Sequence, residues 1–469
     1  MSKGAGNIGS GDDAAAAGPL RRRDLLLGAG AGLGALAATS ALGAGEARAA
    51  PPRSVRNTAP WPIDDMPLVG GPEFPIGIFW PPPPYETTLT RYQEIAAAGM
   101  NFLITGNYMF DQYINRRALG FADEVGLKVL VNSPEPRLSA LTHTLSITDD
   151  PQAQLRISTA DARRLVQVML DEYRQYESFA GFDVFDEPQR PKFATVGAAT
   201  ALVRELAPDL LPYSNLVPGN GAGYTSFVKD FIAAVNPPVL SFDRYPILTG
   251  GLDINYFDNW AIIRRAGLEA GIPTWVYIQS VKYNGRLLPN AAQLRWQINI
   301  SLAYGAKGIM YFTYWTPEPA RGEGFESALV TTDGRLTPLY RSAKAVNRDW
   351  LEPVGRELKP LVSVSATHAN DDPLPPGTDA FAPDAYVAGV EGSAVVLGQF
   401  RAATDNGRRW LLVANRSDAD TATARVSFGE TVTKVERFRP DIASYVPARA
   451  PVTANLPAGS ATLYRLGTG

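Results

Sequence analysis

The sequence predicts an α/β fold, a (β/α)8 barrel followed by a small antiparallel β-sandwich. Three observations carry this expectation. Eight short apolar runs alternate with eight helical patterns between Phe74 and Leu351. The first run is followed by Trp80-Pro81-Pro82-Pro83-Pro84 rather than by a glycine-rich phosphate loop. Prolines have no N–H to offer a phosphate, so a doubly wound open sheet is the weaker alternative. After Leu361 helical periodicity stops, and short strand-like runs separated by Gly, Asp and Asn take over.

The strand candidates are Phe74–Trp80, Asn101–Gly106, Leu127–Ser133, Gly181–Phe185, Leu211–Val217, Val239–Tyr245, Thr274–Gln279 and Gly308–Trp315. The helical segments are Leu89–Ala98, Asp111–Val125, Thr159–Tyr176, Ala194–Leu206, Ser226–Val235, Asn259–Ala270, Ala291–Tyr304 and Pro338–Leu351. Gly126 closes the second helix as a C-cap. Each strand is followed by a helix, the count a barrel requires. In the C-terminal region the expected strands are Ala385–Val390, Ala394–Phe400, Arg409–Asn415, Thr423–Val426, Val432–Phe438 and Ala461–Leu466. The domain reading is a signal segment over 1–49, a Pro-rich linker over 50–71, the barrel over 72–360, a linker over 361–384 and the sandwich over 385–469.

The N-terminus has the order of an export signal. Arg21-Arg22-Arg23-Asp24-Leu25-Leu26 precedes a Gly/Ala/Leu run to Leu42, and Ala47-Arg48-Ala49 offers a cleavage site. The arginines followed by a pair of leucines resemble a Tat signal. An uncleaved membrane anchor is the alternative, but the run is short and Gly/Ala-rich for a spanning helix. The expected location is extracytoplasmic or secreted, with no membrane partner after cleavage.

Composition excludes several chemistries. The chain has 469 residues, no cysteine and two histidines, His143 and His368. Disulfides, thiolate metal sites and cysteine nucleophiles are thereby excluded, as is a histidine-rich metal site. No metal and no cofactor is expected. His143 reads as an exposed loop histidine near the presumed active face. A formal net charge of −3 gives no electrostatic reason to expect nucleic acid as a partner. Oligomeric state is not legible.

In a barrel, chemistry gathers at the C-terminal ends of the strands. Read in order, those ends deliver Phe79 and Trp80; Asn107 and Tyr108; Asn132 and Glu135; Asp186 and Glu187; Asn215 and Asn220; Asp243, Arg244 and Tyr245; Gln279; then Tyr314, Trp315 and Glu318. The set is rich in carboxylates, amides and aromatic rings. Amides and carboxylates hydrogen-bond sugar hydroxyls, and rings stack on the C–H faces of a pyranose. Glycosidic cleavage needs two carboxyl groups, an acid for the leaving oxygen and a nucleophile or base opposite. Carbohydrate is therefore the expected partner. Glu187 is the expected acid and Asp243 the best-placed second carboxylate. Asp186, Trp80, Asn107, Tyr245, Gln279, Trp315 and Glu318 are expected to bind sugar. The bland alternatives are concrete. Asp186-Glu187-Pro188 could open a helix, Asp243 could order the rim by pairing with an arginine, Trp80 and Trp315 could fill the core, Glu318 could be solvated, and Tyr283 could cover the rim.

At these residues the sequence resembles the (βα)8 clan of retaining glycoside hydrolases, and most of all its family 42 β-galactosidase branch. Glu187 stands at the clan's acid/base position. Ser241-Phe242-Asp243-Arg244-Tyr245-Pro246 resembles the branch's Asp-x-Tyr-Pro motif. Tyr304 to Phe312 resembles its final strand, and Leu456-Pro457-Ala458-Gly459-Ser460 resembles the closing turn of its C-terminal domain. The resemblance implies an exported glycosidase. Two positions depart from the pattern. Asp186 replaces the asparagine that usually precedes the acid. Strand 7 offers Ile278 or Gln279 where the clan has its nucleophilic glutamate. β-Galactosidase activity is therefore not carried over. The loss leans towards inversion or a relocated nucleophile, or towards a secreted carbohydrate-binding protein on a decayed glycosidase barrel. A barrel amidohydrolase is a more distant alternative, lacking the histidine ligands such enzymes use.

Overall fold

The structure, a computed structural model, describes residues 60–106, 111–149 and 156–468. The export signal and the first part of the Pro-rich linker lie outside the described residues. Among the described residues no helix is long and apolar enough to cross a membrane.

Eight parallel strands close into a barrel. They are β1 (Ile76–Ile78), β2 (Phe102–Ile104), β3 (Lys128–Val131), β4 (Phe179–Asp186), β5 (Leu211–Leu216), β6 (Leu240–Asp243), β7 (Thr274–Gln279) and β8 (Gly308–Phe312). Each pairs with its sequence neighbour, and β1 pairs with both β2 and β8 to complete the ring. Every run expected as a barrel strand is one. The helices that follow are α1 (Leu89–Ala97), α2 (Gln112–Val125), α3 (Thr159–Tyr173), α4 (Phe193–Leu206), α5 (Gly221–Val235), α6 (Tyr256–Ala270), α7 (Ala291–Ala303) and α8 (Pro338–Val346).

Local chemistry sets the helix ends. Asp111 and Ser158 cap α2 and α3 by accepting backbone N–H bonds. Gly126 ends α2 in the left-handed region, as its position after the last apolar residue implied. The last helix departs from the expected Pro338–Leu351. It passes at Asn347 into a π-helical turn and resumes over Glu352–Leu358. Asn347 fixes that turn, accepting from Tyr311 at 2.7 Å and donating to Ala98 O at 3.0 Å.

The barrel has two cores, as strand alternation requires. Phe102, Ile104, Leu130, Ala180, Tyr213, Trp275, Tyr277 and Met310 fill its interior. Ile78, Leu103, Val129, Phe182, Phe242, Val276, Ile278 and Ile309 face the surrounding helices. The interior is packed, so a ligand has access only at the ends.

The C-terminal region packs two sheets, antiparallel except for one short parallel pair, around their own apolar core. The larger sheet contains β9 (Val362–Ala369), β10 (Asp379–Ala380), β12 (Val395–Arg401), β13 (Arg409–Asn415), β15 (Val432–Arg439), β16 (Ser444–Pro447) and β18 (Ala461–Thr468). The smaller contains β11 (Val387–Gly392), β14 (Ala422–Phe428) and β17 (Val452–Leu456). The segment read as a linker over 361–384 thus holds two strands of the larger sheet. Strand β9 turns apolar Val364 outward and Ser363 inward, and a bulge between Ser363 and Ser365 interrupts its register. The sandwich docks on α7. Trp296 Nε1 donates to Arg416 O at 2.9 Å, and Asn299 Nδ2 donates to Gly459 O at 2.8 Å. Gly459 has φ +69°, and a Cβ there would run into Ala292 O. The Leu456–Ser460 turn is therefore the seam of the two regions.

Candidate active site

Strand β4 carries a bulge between Asp183 and Phe185. A bulge shifts the inward–outward alternation by one residue. Asp183 and Asp186, three apart, therefore act on each other's charge, and Asp186 reaches Asn215 and Asp243 on the neighbouring strands. Phe185 instead stacks on His143, ring centroids 4.3 Å apart. His143 is thus a partly buried packing partner rather than an exposed loop residue. Burial and nearby Lys192 push its pKa down to about 4, which keeps it neutral at pH 7.

The next residue, Glu187, adopts φ +51°. A left-handed backbone at a non-glycine residue costs on the order of 1–3 kcal/mol and persists only where its surroundings enforce it. Here the Glu187 N–H donates to Asn215 O at 2.9 Å, and Pro188 follows. Asp186-Glu187-Pro188 does not open a helix; the next helical turn starts at Arg190. Trp80, at the end of β1, has φ +62°. Two strained residues thus stand at C-terminal strand ends.

The Glu187 side chain is in hydrogen-bond contact with that of Asp243. Two carboxyl groups can share such a contact only if one of them holds a proton. Burial raises the pKa of both, and the negative charge of Asp243 raises Glu187 further. Glu187 is accordingly the proton holder of the pair. Asp186 is also raised, first by enclosure in protein and then by Asp243. Asp186 is nonetheless an exposed residue, so water screens part of this effect. Beneath it, buried Asp183 accepts from the Ser133 backbone and is pushed well above the ordinary carboxylate range.

A hydrogen-bond chain rises from the barrel interior to this pair. Tyr277 bonds Tyr213, and Tyr213 OH lies 2.6 Å from Ser241 Oγ. Ser241 donates to Asn215 Oδ1 at 3.0 Å, and Asn215 Nδ2 donates to Asp243 Oδ1 at 3.3 Å. Since Ser241 donates upward, it must accept from Tyr213. These bonds fix which way the Asn215 amide faces, with Oδ1 towards Ser241 and Nδ2 towards Asp243. Asp243 does not order the rim through an arginine. Its neighbour Arg244 does that, pairing with Asp253 at 2.7 Å.

Facing the carboxyls is a wall of rings. Phe79 stacks on Phe312 at 5.9 Å, Phe312 on Tyr245 at 4.9 Å, and Tyr283 on Phe325 at 4.8 Å. Trp80 leans against Phe79 and lies under Arg321, 4.3 Å from its ring. Tyr245, expected to bind sugar, is buried close enough to Asp243 to feel its charge, and Trp80 is partly exposed at the rim.

Three expected sugar contacts resolve differently. Gln279 takes the inward position of β7, with Ile278 buried outward. Its amide is fully engaged: Oε1 accepts from Ile247 N at 2.9 Å, and Nε2 donates to Ile247 O at 3.0 Å and Leu287 O at 2.7 Å. It bolts two rim loops together and has no group left for a sugar. Trp315 is buried in the layer between strands and helices, with Arg91 5.3 Å from its ring. It is a core filler. Glu318 is partly exposed at the rim, 3.5 Å from the hydroxyl of exposed Tyr85, away from the carboxyl cluster. Asn107 and Tyr108 lie outside the described residues. Strand β3 contributes no reactive carboxylate, because Glu135 pairs with Arg137 at 2.7 Å and caps a helical turn.

Asp183 and Arg286 were not singled out from sequence. Asp183 had a signal, as a lone carboxylate inside the apolar run Phe182–Phe185. Arg286 carries charge to both Glu187 and Asp243 from the loop after β7.

No family model matches the chain, and no curated protein is similar to it in sequence. Solved structures are similar in fold. A putative α-galactosidase from Bacteroides fragilis is 10% identical, with 86% of this chain and 81% of that chain covered and a TM-score of 0.46. A glucosidase from Croceicoccus marinus is 10% identical, covering 85% of this chain and 95% of its own, with a TM-score of 0.44. A family 27 β-L-arabinopyranosidase from Geobacillus stearothermophilus is 8% identical, covering 85% and 98%, with a TM-score of 0.43. Likenesses of this degree carry no argument about chemistry, and the barrel itself rests on its closed strand order.

Proposed function

We propose that this chain is an exported glycoside hydrolase acting on a poly- or oligosaccharide, with Glu187 as general acid and Asp243 as the second carboxylate. The observation that supports it best is the proton-sharing contact of Glu187 with Asp243, opposite the ring wall, at the strand ends where barrels do chemistry. In the reaction, Glu187 gives its proton to the glycosidic oxygen as the bond to the anomeric carbon breaks. Asp243, held by Asn215, attacks that carbon from the other side. Water then displaces Asp243, and Glu187 takes back a proton from the water. Substrate must part the two carboxyls to enter, and the side chain of Glu187 has the rotatable bonds for it. Because the pKa of Glu187 is raised, its proton stays in place at neutral pH. The alkaline limb of activity is expected above the ordinary carboxylate range.

The test is Glu187→Gln, assayed for product release on a panel of polysaccharides. We expect a loss of about 10²–10⁴-fold with the fold intact, and a retained anomeric configuration in the wild-type product. Undiminished hydrolysis by the variant sinks the assignment. A second reading, a secreted carbohydrate-binding protein, is favoured by the missing carboxylate on β7. Glycan binding by the wild type, with no product from any glycan, would select it.

A further inference from the structure

The loop after β7 presents a single arginine in an unusually determined setting. Tyr283 to Arg286 form a two-residue hairpin turn, with mutual backbone bonds of 3.2 and 2.8 Å. Asn284 and Gly285 both have positive φ, 42° and 77°, the combination an Asn-Gly hairpin favours. The hairpin is tied to the loop after β6 through Thr249 N to Gly285 O at 3.0 Å and Leu287 N to Ile247 O at 2.9 Å. Gln279 fastens the same two segments from below. The guanidinium is thus carried on a hydrogen-bonded rim rather than a free loop. Its carbon lies 4.8 Å from the ring centre of Tyr283 and 5.7 Å from that of Tyr245. Among the described residues its side chain donates only to Asn284 O, at 3.5 Å. Nε is buried without an acceptor. No carboxylate is within ion-pair distance, although Glu187 and Asp243 feel its charge.

A guanidinium offers five N–H donors in a planar fork, and this one leaves most of them unused. Such a fork matches a carboxylate bidentately. Nε is enclosed by protein, so a ligand carboxylate would be met by the two terminal nitrogens of the fork. We propose that Arg286 selects a sugar bearing a carboxylate, a uronic acid, for the site beside Glu187 and Asp243. This inference rests on the reading of the site as a carbohydrate site. An anion can approach this cluster because Asp183 and Glu187 are held neutral, which leaves fewer negative charges to oppose it.

The test measures binding of the full chain to uronate-containing oligosaccharides, to the same oligosaccharides with their carboxyls reduced to alcohols, and to sulfated neutral ones. We expect the wild type to prefer the uronates by about tenfold or more. Arg286→Ala should bring the affinities for the uronate and the reduced forms to parity, so that the preference is lost. Arg286→Met keeps the aliphatic stem over the rings and should behave alike, which guards against loss by misfolding. Arg286→Lys should retain part of the preference, since charge remains and the fork is gone. Equal binding of uronate and reduced forms by the wild type overturns the inference, and so does a preference for the sulfated glycans. Hydrolysis of neutral glycans without uronate binding would overturn it while leaving the glycosidase reading intact. Uronate binding without hydrolysis would do the reverse.

Discussion

The two sides of the barrel mouth solve opposite problems. At the ends of β4 and β6, carboxyl groups crowd together, with Asp183 lacking a partner for Oδ2 and Glu187 in a strained backbone. At the end of β7, Gln279 sits at the equivalent inward position with every amide group satisfied. One side stores unfavourable interactions, the other removes them. The stored side carries Glu187, the proposed acid. The satisfied side fixes the loops that carry Tyr283 and Arg286. Buried polarity alone therefore does not identify a reactive group; the carboxyl side differs in combining an unsatisfied oxygen with crowded charges and a strained backbone.

The largest expected effect that would break this comparison is on stability. Trp315→Ala should cost about 3–5 kcal/mol, the range for truncating a buried tryptophan, whereas Trp80→Ala should leave the melting temperature nearly unchanged and weaken glycan binding. Equal losses of stability in chemical denaturation would show that both rings are structural. Next, Gln279→Ala strands the Ile247 N–H and the Leu287 carbonyl, each worth about 1–3 kcal/mol if it stays buried without water, while Ile247 O keeps the Leu287 N–H. Its melting temperature should fall, and any preference for acidic glycans should fall with it as Arg286 loses its footing. A Gln279→Ala protein with unaltered stability but lost binding would restore glutamine as a sugar ligand.

The pH dependence sharpens the contrast further. Asp183, Asp186, Glu187 and Asp243 all have folded-state pKa values above the ordinary 3.8 for Asp and 4.5 for Glu. The folded state then binds protons more tightly than the unfolded chain. This contribution is fully present below about pH 4 and is lost as pH rises through the folded values. Glu187→Gln removes the proton holder and the charge it would acquire. Relative to wild type, its melting temperature should improve steadily from pH 5 to pH 9. A constant difference across that range would mean that Glu187 is not coupled to its neighbours. Gln279→Ala has no such slope, because no titratable group is lost.

Much of this was legible in the sequence. All eight barrel strands follow from apolar runs, since a parallel strand buried on both faces needs an unbroken one. Glu187 and Asp243 were legible for the same reason, as carboxylates at the ends of such runs. The β9 strand was not, because its face is inverted, with Val364 outward and Ser363 inward, and a bulge interrupts its register. Gln279 and Trp315 were placed at the right ends of the right strands and assigned the wrong task. Whether an amide is spent on Ile247 or offered to a ligand depends on loops that fold back from elsewhere. The Asn284-Gly285 pair was a turn signal in plain view, but the direction of Arg286 depends on how that hairpin docks against Ile247 and Thr249.

By itself, the sequence determined the barrel, the C-terminal β region and the strand ends where chemistry collects. Periodicity and burial are local properties, and each segment carries its own. Only the tertiary structure decided that Glu187 touches Asp243, that a bulge in β4 brings Asp186 to Asn215 and Asp243, and that Arg286 faces the pair from β7. Those contacts join residues dozens of positions apart, and their energies depend on desolvation and on mutual charge. Neither exists until the barrel closes.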